Sequence, residues 1–261
     1  MSAQFLLNIG HLTKRFGGVA ALDGVSLQVM HGDVVGLIGP NGAGKTTLFN
    51  CLTGVLRPDG GEVTFGRDTA EPITGLAPDE IVQYGIARTF QNIRLFASMT
   101  VLEHVLIGMY IRTQAELASA ILLSPAARRE ERWAHDRAMG LLETMGLSDR
   151  AGELASALPF GLQRRVEIAR ALASDPELLL LDEPAAGLNP TEKQQLLQLI
   201  QQLNAQGLTI VLIEHDMQVI MPISTTVAVL DYGKKIAEGP PKEIQRDPRV
   251  IEAYLGTINT R

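Results

Sequence analysis

A glycine-rich stretch near the N-terminus reads Gly39-Pro40-Asn41-Gly42-Ala43-Gly44-Lys45-Thr46. It fits the pattern G-x-x-x-x-G-K-[ST], in which glycines let successive backbone N–H groups turn toward phosphate oxygens. The stretch lies between an apolar run, 33–38, and a predicted helix, 45–53, whose positive N-terminal end would face the same anion. We expect Lys45 to reach the β- and γ-phosphates and the Thr46 hydroxyl to bind Mg²⁺.

This glycine-rich stretch has two other interpretations. A dinucleotide-binding pattern, G-x-G-x-x-G, would need glycine at position 47, where the chain has Thr47, and this argues against a nicotinamide enzyme. A glycine-rich turn without a ligand is the simplest alternative, but a chance match to the phosphate pattern has odds of roughly 1 in 200. Thr47 directly follows the phosphate pattern and is also among the predicted nucleotide-binding residues.

A second motif joins an apolar strand to two acids. Residues 178–181 are all leucine, and Asp182 and Glu183 follow directly. At the carboxyl end of a parallel strand, both acids would face the crevice where ligands bind. We expect Asp182 to hold Mg²⁺, directly or through water, and Glu183 to orient and polarise an attacking water. Many strands end in acids, so this motif indicates a functional site only in combination with the phosphate loop.

The composition restricts the class of protein. The 261 residues include 23 Lys and Arg against 29 Asp and Glu, so no basic nucleic-acid surface is indicated. A single cysteine, Cys51, excludes an internal disulfide and a cysteine-based metal cluster. The longest uncharged stretch near the C-terminus, 217–230, is too short to cross a bilayer, and residues 1–12 lack a signal-peptide pattern. We therefore expect a soluble cytoplasmic chain that needs another subunit to work across a membrane.

The order of apolar runs predicts an α/β protein with a helical stretch in its middle. Helical spacing occurs at 101–110 and 128–145, inside a stretch, 92–157, where strand-like runs are absent. The runs 178–181 and 208–213 are almost entirely apolar, which is typical of parallel strands covered by helices. Predicted strands are 4–9, 25–30, 33–38, 62–65, 86–90, 178–181, 208–213, 225–230 and 234–237.

Together these motifs resemble an ABC-type ATPase, the nucleotide-binding subunit of a transporter, over nearly the whole chain. The resemblance implies a single ABC ATPase domain over 1–261, with a P-loop NTPase (RecA-like) core, an antiparallel β subdomain and an inserted α-helical subdomain. It places the nucleotide-binding core in 1–91 and 158–261 and the helical insertion in 92–157. It also implies ATP and Mg²⁺ as cofactors.

The resemblance also implies roles for residues that carry no meaning alone. Gln91 matches the glutamine of the Q-loop, which contacts Mg²⁺ or the water and senses the membrane partner. His215, 32 residues after Glu183, matches the switch histidine that contacts the γ-phosphate. Phe16 occupies the place of an aromatic residue that stacks on adenine, although neighbouring strands could instead bury it. The other histidines are expected to be structural or solvent-facing, namely His11, His31, His104 and His135. Cys51, on the helix predicted after the phosphate loop, is expected to pack in the core.

The signature motif departs from the family pattern. This motif usually reads close to L-S-G-G-Q, and here 158–162 reads Leu-Pro-Phe-Gly-Leu. Gly161 is retained, and the resemblance makes it a nucleotide-contacting residue that faces the phosphate loop of a second ATPase subunit. Pro159 has neither the hydroxyl nor the N–H of serine, although proline is accepted in the first turn of a helix. We expect this signature to close one ATP site weakly.

Longer stretches are similar to one subgroup, the LivG-type ATPases of bacterial branched-chain amino acid importers. They lie at 88–96, 99–103, 164–172, 182–190 and 250–256, with extra helical material around 111–133. The resemblance implies permease subunits, a second, related or identical ATPase subunit and, indirectly, a substrate-binding protein, at the inner face of the plasma membrane. The substrate follows only by association, since these subunits do not touch it.

Other functions stay open at this point. Related ATPases serve urea or amide import and lipopolysaccharide export. A non-transport ABC ATPase would usually carry two cassettes or long coiled coils, which this chain lacks. A GTPase would need an Asn-Lys-x-Asp motif, which is absent from the sequence. A regulatory nucleotide-binding module without hydrolysis is disfavoured by Glu183 and supported only by Pro159.

Overall fold

A computed structural model describes residues 5–67, 69–110 and 125–255. Within these residues the chain forms ten strands and nine α-helices. The strands are β1 Phe5–Phe16, β2 Val19–Met30, β3 Val34–Ile38, β4 Gly60–Phe65, β5 Glu71–Pro72, β6 Ile86–Arg88, β7 Leu178–Asp182, β8 Thr209–Ile213, β9 Thr226–Asp231 and β10 Lys234–Gly239. The helices are α1 Lys45–Leu52, α2 Pro78–Gln83, α3 Val101–Gly108, α4 Pro125–Thr144, α5 Phe160–Leu172, α6 Pro190–Ala205, α7 Met217–Ile220, α8 Pro241–Ile244 and α9 Pro248–Leu255.

Two sheets organise these elements. A six-stranded sheet has the order β10-β9-β3-β8-β7-β6, and all its neighbouring pairs except β10–β9 are parallel. A four-stranded antiparallel sheet has the order β2-β1-β4-β5. In the larger sheet β3, β8 and β7 are adjacent, so the residues after β3 and β7 meet at the same edge. This edge carries the phosphate loop and the two acids.

Leucines of β7 face two separate cores, which explains why this strand has no polar face. Leu178 and Leu180 pack into a core shared with the four-stranded sheet and α1. Leu179 and Leu181 pack into a second core formed with α3, α5 and α6. All four are fully buried, as a parallel strand covered on both faces requires.

The long hairpin β1–β2 extends beyond its predicted strands. The apolar runs predicted strands at 4–9 and 25–30, and the observed strands continue to Phe16 and start at Val19. Several register shifts interrupt this pairing, for example between Ile9 and Leu12. Because a bulge breaks the two-residue alternation of apolar side chains, the pattern that reveals a strand is lost beyond it.

The middle of the chain contains the expected helices. The helical spacing at 101–110 and 128–145 is confirmed by α3 and α4. The boundaries of a helical subdomain at 92 and 157 stay a prediction. Gln4, residues 111–124 of the extra helical material and Gly256 lie outside the described residues. Among the helices that are described, none combines the length and the apolar character needed to cross a bilayer.

Two of the residues expected to be structural are buried. His104 accepts a hydrogen bond at Nε2 from the backbone N–H of Phe96 at 2.9 Å, and its Nδ1 lies 2.8 Å from the Thr100 carbonyl oxygen. Burial lowers the pKa of His104, and the short contact at each nitrogen assigns the proton to Nδ1. Cys51 is 4% exposed. Both side chains are part of the packing, as predicted.

Cys51 provides a test of this packing. Burial raises the pKa of its thiol to about 11 from 9.0. At pH 8 the native thiolate is then roughly 100-fold scarcer than in an unfolded chain, so iodoacetamide should react at least that much more slowly. The measurement is the rate of alkylation with and without guanidinium chloride. Equal rates would show that Cys51 is accessible in the native protein.

Candidate functional site

The glycine-rich loop connects β3 to α1 and is shaped by glycines with positive φ angles. The φ angle is 149° at Gly39, 82° at Gly42 and 104° at Gly44. A Cβ atom on Gly39 would lie 2.1 Å from the carbonyl oxygen of Leu230, and one on Gly44 would lie 2.4 Å from that of Ala21. Both positions therefore exclude a side chain by space as well as by conformation.

Lys45 folds back over this loop. Its Nζ donates hydrogen bonds to the carbonyl oxygens of Gly39 at 2.7 Å and Pro40 at 2.9 Å. Burial lowers the pKa of Lys45, and the carboxylates of Glu183 and Asp182 oppose this shift. The ammonium group is thus held at the loop and can exchange carbonyl oxygens for the oxygens of a bound phosphate.

The other predicted loop residues differ in exposure. The exposed ones are Asn41, Gly42 and Thr46, the half-buried ones are Pro40, Gly44 and Thr47, and Ala43 is buried. Helix α1 begins at Lys45, so the last two residues of loop 39–46 lie in its first turn. The hydroxyl of Thr46 therefore stands in the first turn of that helix, on the side open to solvent.

Asp182 ends β7 and is 1% exposed. Its Oδ2 accepts a hydrogen bond from Arg88 Nη2 at 2.8 Å, while its buried Oδ1 has no hydrogen-bond partner among the described residues. Arg88 Nη1 also donates to Asn50 Oδ1 at 2.7 Å and Thr53 Oγ1 at 3.2 Å. One carboxylate oxygen is thus fixed, and the other can accept a ligand or a bound water.

The residue types around the motifs did not indicate the pairing of Arg88 with Asp182. Arg88 ends β6, which runs parallel to β7 with Arg88 beside Leu180. The sequence could have indicated this pairing only through a basic residue, Arg88, near the end of the predicted strand 86–90. That signal requires the strand order, which the sequence does not state.

Glu183 meets the two other predicted catalytic residues. Its Oε2 accepts a hydrogen bond from Gln91 Nε2 at 3.2 Å and lies 3.6 Å from His215 Nδ1. The backbone of Glu183 has a φ angle of 46° and its N–H donates to the carbonyl oxygen of Ile213 at 3.0 Å. This left-handed backbone conformation is uncommon for a residue other than glycine. The structure therefore brings Gln91, Glu183 and His215 together.

Glu214 is a neighbouring carboxyl group that the sequence motifs did not single out. It is 1% exposed, and its Oε1 accepts a hydrogen bond from the backbone N–H of Ala185 at 2.8 Å. Burial raises the pKa of Glu214. The bond ties the segment after β8, which contains Glu214 and His215, to the turn that follows Glu183.

Phe16 stands at the tip of the β1–β2 hairpin and is 49% exposed. Lys14 Nζ lies 5.6 Å from the centre of its ring. The alternative that neighbouring strands bury this ring is therefore wrong. A half-exposed aromatic ring can stack on a planar ligand.

Gly161 lies in the first turn of α5, beside Glu192. Pro159 is the N-cap residue of α5 with a φ angle of −53°, and its carbonyl oxygen accepts hydrogen bonds from the N–H groups of Leu162 and Gln163. A Cβ atom on Gly161 would lie 2.7 Å from Glu192 Oε1. Gly161 lines a cavity of about 60 Å³, and none of the residues around that cavity belongs to loop 39–46.

Comparison with known families agrees with this geometry. A family model described as "ABC transporter" matches residues 22–186, which include the loop, Gln91 and both acids. The chain belongs to the ABC transporter family. A second model, "Branched-chain amino acid ATP-binding cassette transporter", matches residues 234–257. As an ATP-binding subunit of this family, the chain binds nucleotide, and membership of the family implies ATP hydrolysis.

Two curated relatives match almost end to end. The chain is 48% identical over 255 residues to the high-affinity branched-chain amino acid transport ATP-binding protein LivG of Salmonella typhimurium, covering 97% of this chain and 99% of that protein. It is 45% identical over 252 residues to the corresponding protein BraF of Pseudomonas aeruginosa, covering 96% of this chain and 98% of that protein. The resemblance to LivG-type ATPases is therefore confirmed.

Solved structures confirm the predicted α/β fold class. A nucleotide-free ATP-binding cassette from an ABC transporter superposes with a TM-score of 0.84 at 37% identity, covering 97% of this chain and 99% of that one. The ADP conformation of an ATP-binding cassette gives 0.82 at 35% identity with the same coverage. A dimeric post-hydrolysis cassette bound to ADP and Pi gives 0.75 at 27% identity, covering 90% of this chain and 98% of that one.

Proposed function

We propose that this chain is the Mg²⁺-dependent ATPase subunit that powers an importer of branched-chain amino acids. The observation that carries the enzymatic part is the contact of Glu183 with Gln91 and His215, beside Asp182 and the phosphate loop. The near full-length similarity to LivG and BraF supports the substrate class. The substrate itself would be bound by other subunits.

The loop and Lys45 supply phosphate binding in this proposal. The backbone N–H groups of loop 39–46 and the first turn of α1, including Thr47, face the phosphates, and Lys45 neutralises the β- and γ-phosphate charge. No group of three or more His, Cys, Asp or Glu in the described part of the chain could hold a metal by itself. This suits Mg²⁺, which is typically held by one or two protein oxygens together with phosphates and water.

The residues present fit such a metal ion. Thr46 offers an exposed hydroxyl, Asp182 offers its unpartnered Oδ1, and Gln91 offers its amide oxygen. When held by these residues, Mg²⁺ would neutralise charge that develops during phosphoryl transfer. Arg88 would keep Asp182 in place by occupying the other carboxylate oxygen.

Glu183 is the proposed general base. Its carboxylate would accept a proton from the attacking water, while the Gln91 amide orients that water and His215 contacts the γ-phosphate. The 3.2 Å bond between Gln91 and Glu183 would open when the water and phosphate arrive. Phe16 would stack on adenine at the edge of the site.

The proposal includes a second ATPase subunit and a membrane partner. No residue of loop 39–46 lines the cavity beside Gly161, and a related cassette is dimeric; both observations support a contact of Gly161 with the nucleotide of another subunit. Transmembrane permease subunits would receive the movement, and a substrate-binding protein would act indirectly. The chain would then be cytoplasmic and peripheral at the inner face of the plasma membrane, with no nucleic-acid partner.

The proline of the signature gives one expected outcome. Pro159→Ser should raise ATP hydrolysis by the assembled complex about two- to tenfold, because serine adds a hydroxyl and an N–H at the N-cap of α5. Hydrolysis is measured at saturating ATP with the complete complex. Pro240→Ser is the matched control, since Pro240 is the N-cap of α8 and should change nothing. An unchanged or lower rate in Pro159→Ser would contradict a weakened signature.

Reconstitution tests the proposed function. The chain is combined with its permease, the second ATPase subunit and the binding protein in lipid vesicles, and both ATP hydrolysis and uptake are measured. Leucine, isoleucine or valine should stimulate hydrolysis in Mg²⁺ and fail to do so in EDTA. Stimulation by urea and by none of the three amino acids would show that the substrate is not a branched-chain amino acid. Nucleotide binding without hydrolysis in the full complex would show that the chain is not an ATPase.

A further inference from the structure

Side chains of α5 hold the backbone of the segment that contains Gln91. Arg164 Nη1 donates a hydrogen bond to the carbonyl oxygen of Phe90 at 2.9 Å, and Nη2 donates to that of Gln91 at 3.0 Å. Glu167 Oε1 accepts a hydrogen bond from the N–H of Phe90 at 3.2 Å. One turn further along the helix, Arg170 Nη1 donates to the carbonyl oxygen of Arg94 at 2.6 Å. The segment is thus bound at four backbone atoms by one helix.

Arg164 and Glu167 also bind each other. Arg164 Nη1 and Glu167 Oε2 are 2.7 Å apart, and each side chain is 1% exposed. We call this pair the Q-loop clasp. A buried ion pair is weak evidence for stability, because desolvation offsets most of its attraction and apolar residues can replace it. Its specific contribution is directional, since the planar guanidinium reaches two successive carbonyl oxygens at once.

The clasp connects two parts of the proposed ATPase site. Helix α5 begins at the signature motif, with Pro159 as its N-cap, and it holds the backbone of Gln91 through Arg164. The side chain of Gln91 in turn binds the Glu183 carboxylate. A continuous set of contacts therefore runs from the signature helix to the proposed base.

We propose that Arg164 and Glu167 are positioning residues that make Gln91 follow the signature helix. When a nucleotide held by the second subunit draws the signature inward, the clasp would shift Gln91 relative to Glu183. Each ATP site would then report to the other through this helix. The inference rests on the proposed ATPase function and adds to it the residues that couple the two sites.

Three variants separate positioning from folding. Arg164→Lys keeps the charge but loses the two-pronged bond to Phe90 and Gln91. The double variant Arg164→Met with Glu167→Leu removes both charges, so neither is left buried without a partner. Arg165→Lys is the matched control, because Arg165 lies on the same helix and bonds instead to Met145 and Gln195.

A double-mutant cycle with Gln91→Ala then tests the coupling, using the assembled complex. Arg164→Lys and the double variant should lower kcat about tenfold with Gln91 present and cause no further loss when Gln91 is alanine, since displacement matters only through that side chain. The KM for ATP should stay within about twofold, because the phosphate loop is untouched. Arg165→Lys should match wild type.

The outcomes are distinguishable. If the clasp variants lowered kcat by the same factor with Gln91 and with alanine at position 91, the clasp would act independently of Gln91. If the clasp variants left kcat unchanged, the clasp would not position the glutamine at all. Thermal unfolding is measured for every variant. If the loss of kcat were proportional to the fall in Tm in both Arg164→Lys and the double variant, the role of the pair would be in folding. If the wild-type complex hydrolysed ATP no faster than the Glu183→Gln complex, the proposed function would be overturned. The proposed coupling would then be overturned with it.

Discussion

Glu183→Gln should lower ATP hydrolysis by the complex about 10²–10⁴-fold, the usual contribution of a general base. The amide cannot accept the proton of the attacking water, yet it keeps the shape of the side chain and its place beside Gln91 and His215. Nucleotide affinity should stay within about twofold, because Lys45 and the loop are unchanged. The measurements are kcat by phosphate release and Kd for ATP by equilibrium binding.

A matched control uses another glutamate. Glu143→Gln, on the exposed side of α4, removes the same charge far from the loop in sequence and should leave kcat and Kd unchanged. A Glu183→Gln complex that hydrolyses ATP within tenfold of wild type would remove Glu183 from the role of base. Loss of ATP binding in that variant would assign it to the nucleotide site instead.

Arg88→Met should lower the free energy of unfolding by about 3–5 kcal/mol, because it leaves the buried Asp182 carboxylate without its hydrogen-bonded counter-ion. The side chains of the Arg88–Asp182 pair are 6% and 2% exposed, and their atoms lie 2.8 Å apart. Methionine also removes the cation–π contacts of the guanidinium with the rings of Phe49 and Phe90, whose centres lie 5.5 and 5.2 Å from Arg88 Cζ. The expected loss is therefore mainly electrostatic.

Urea unfolding followed by circular dichroism measures this loss. Arg137→Met serves as the control, since the pair between Arg137 and Asp175 is exposed and is expected to contribute less than about 1 kcal/mol. Equal and small losses in both variants would show that the charge of Asp182 does not depend on Arg88. Such a result would also weaken the proposal that Arg88 orients the carboxylate.

The phosphate loop and the two acids were predictable because their chemistry is local. Gly39, Gly44 and Lys45 act within one turn of chain, where spacing alone decides which groups converge. The leucines before Asp182 were likewise sufficient to indicate a strand covered on both faces. By contrast, the full extent of the β1–β2 hairpin was missed, since bulges interrupt the alternation of its side chains.

The sequence by itself determined the family, the α/β fold class and the glycine-rich turn from strand to helix, because each depends on residues that are neighbours along the chain. Only the tertiary structure decided which buried arginine meets which polar group. Arg88 reaches Asp182 across 94 positions, and Arg164 reaches Phe90 across 74. Such pairings depend on which strands and helices pack side by side, and residue type alone carries no information about that order.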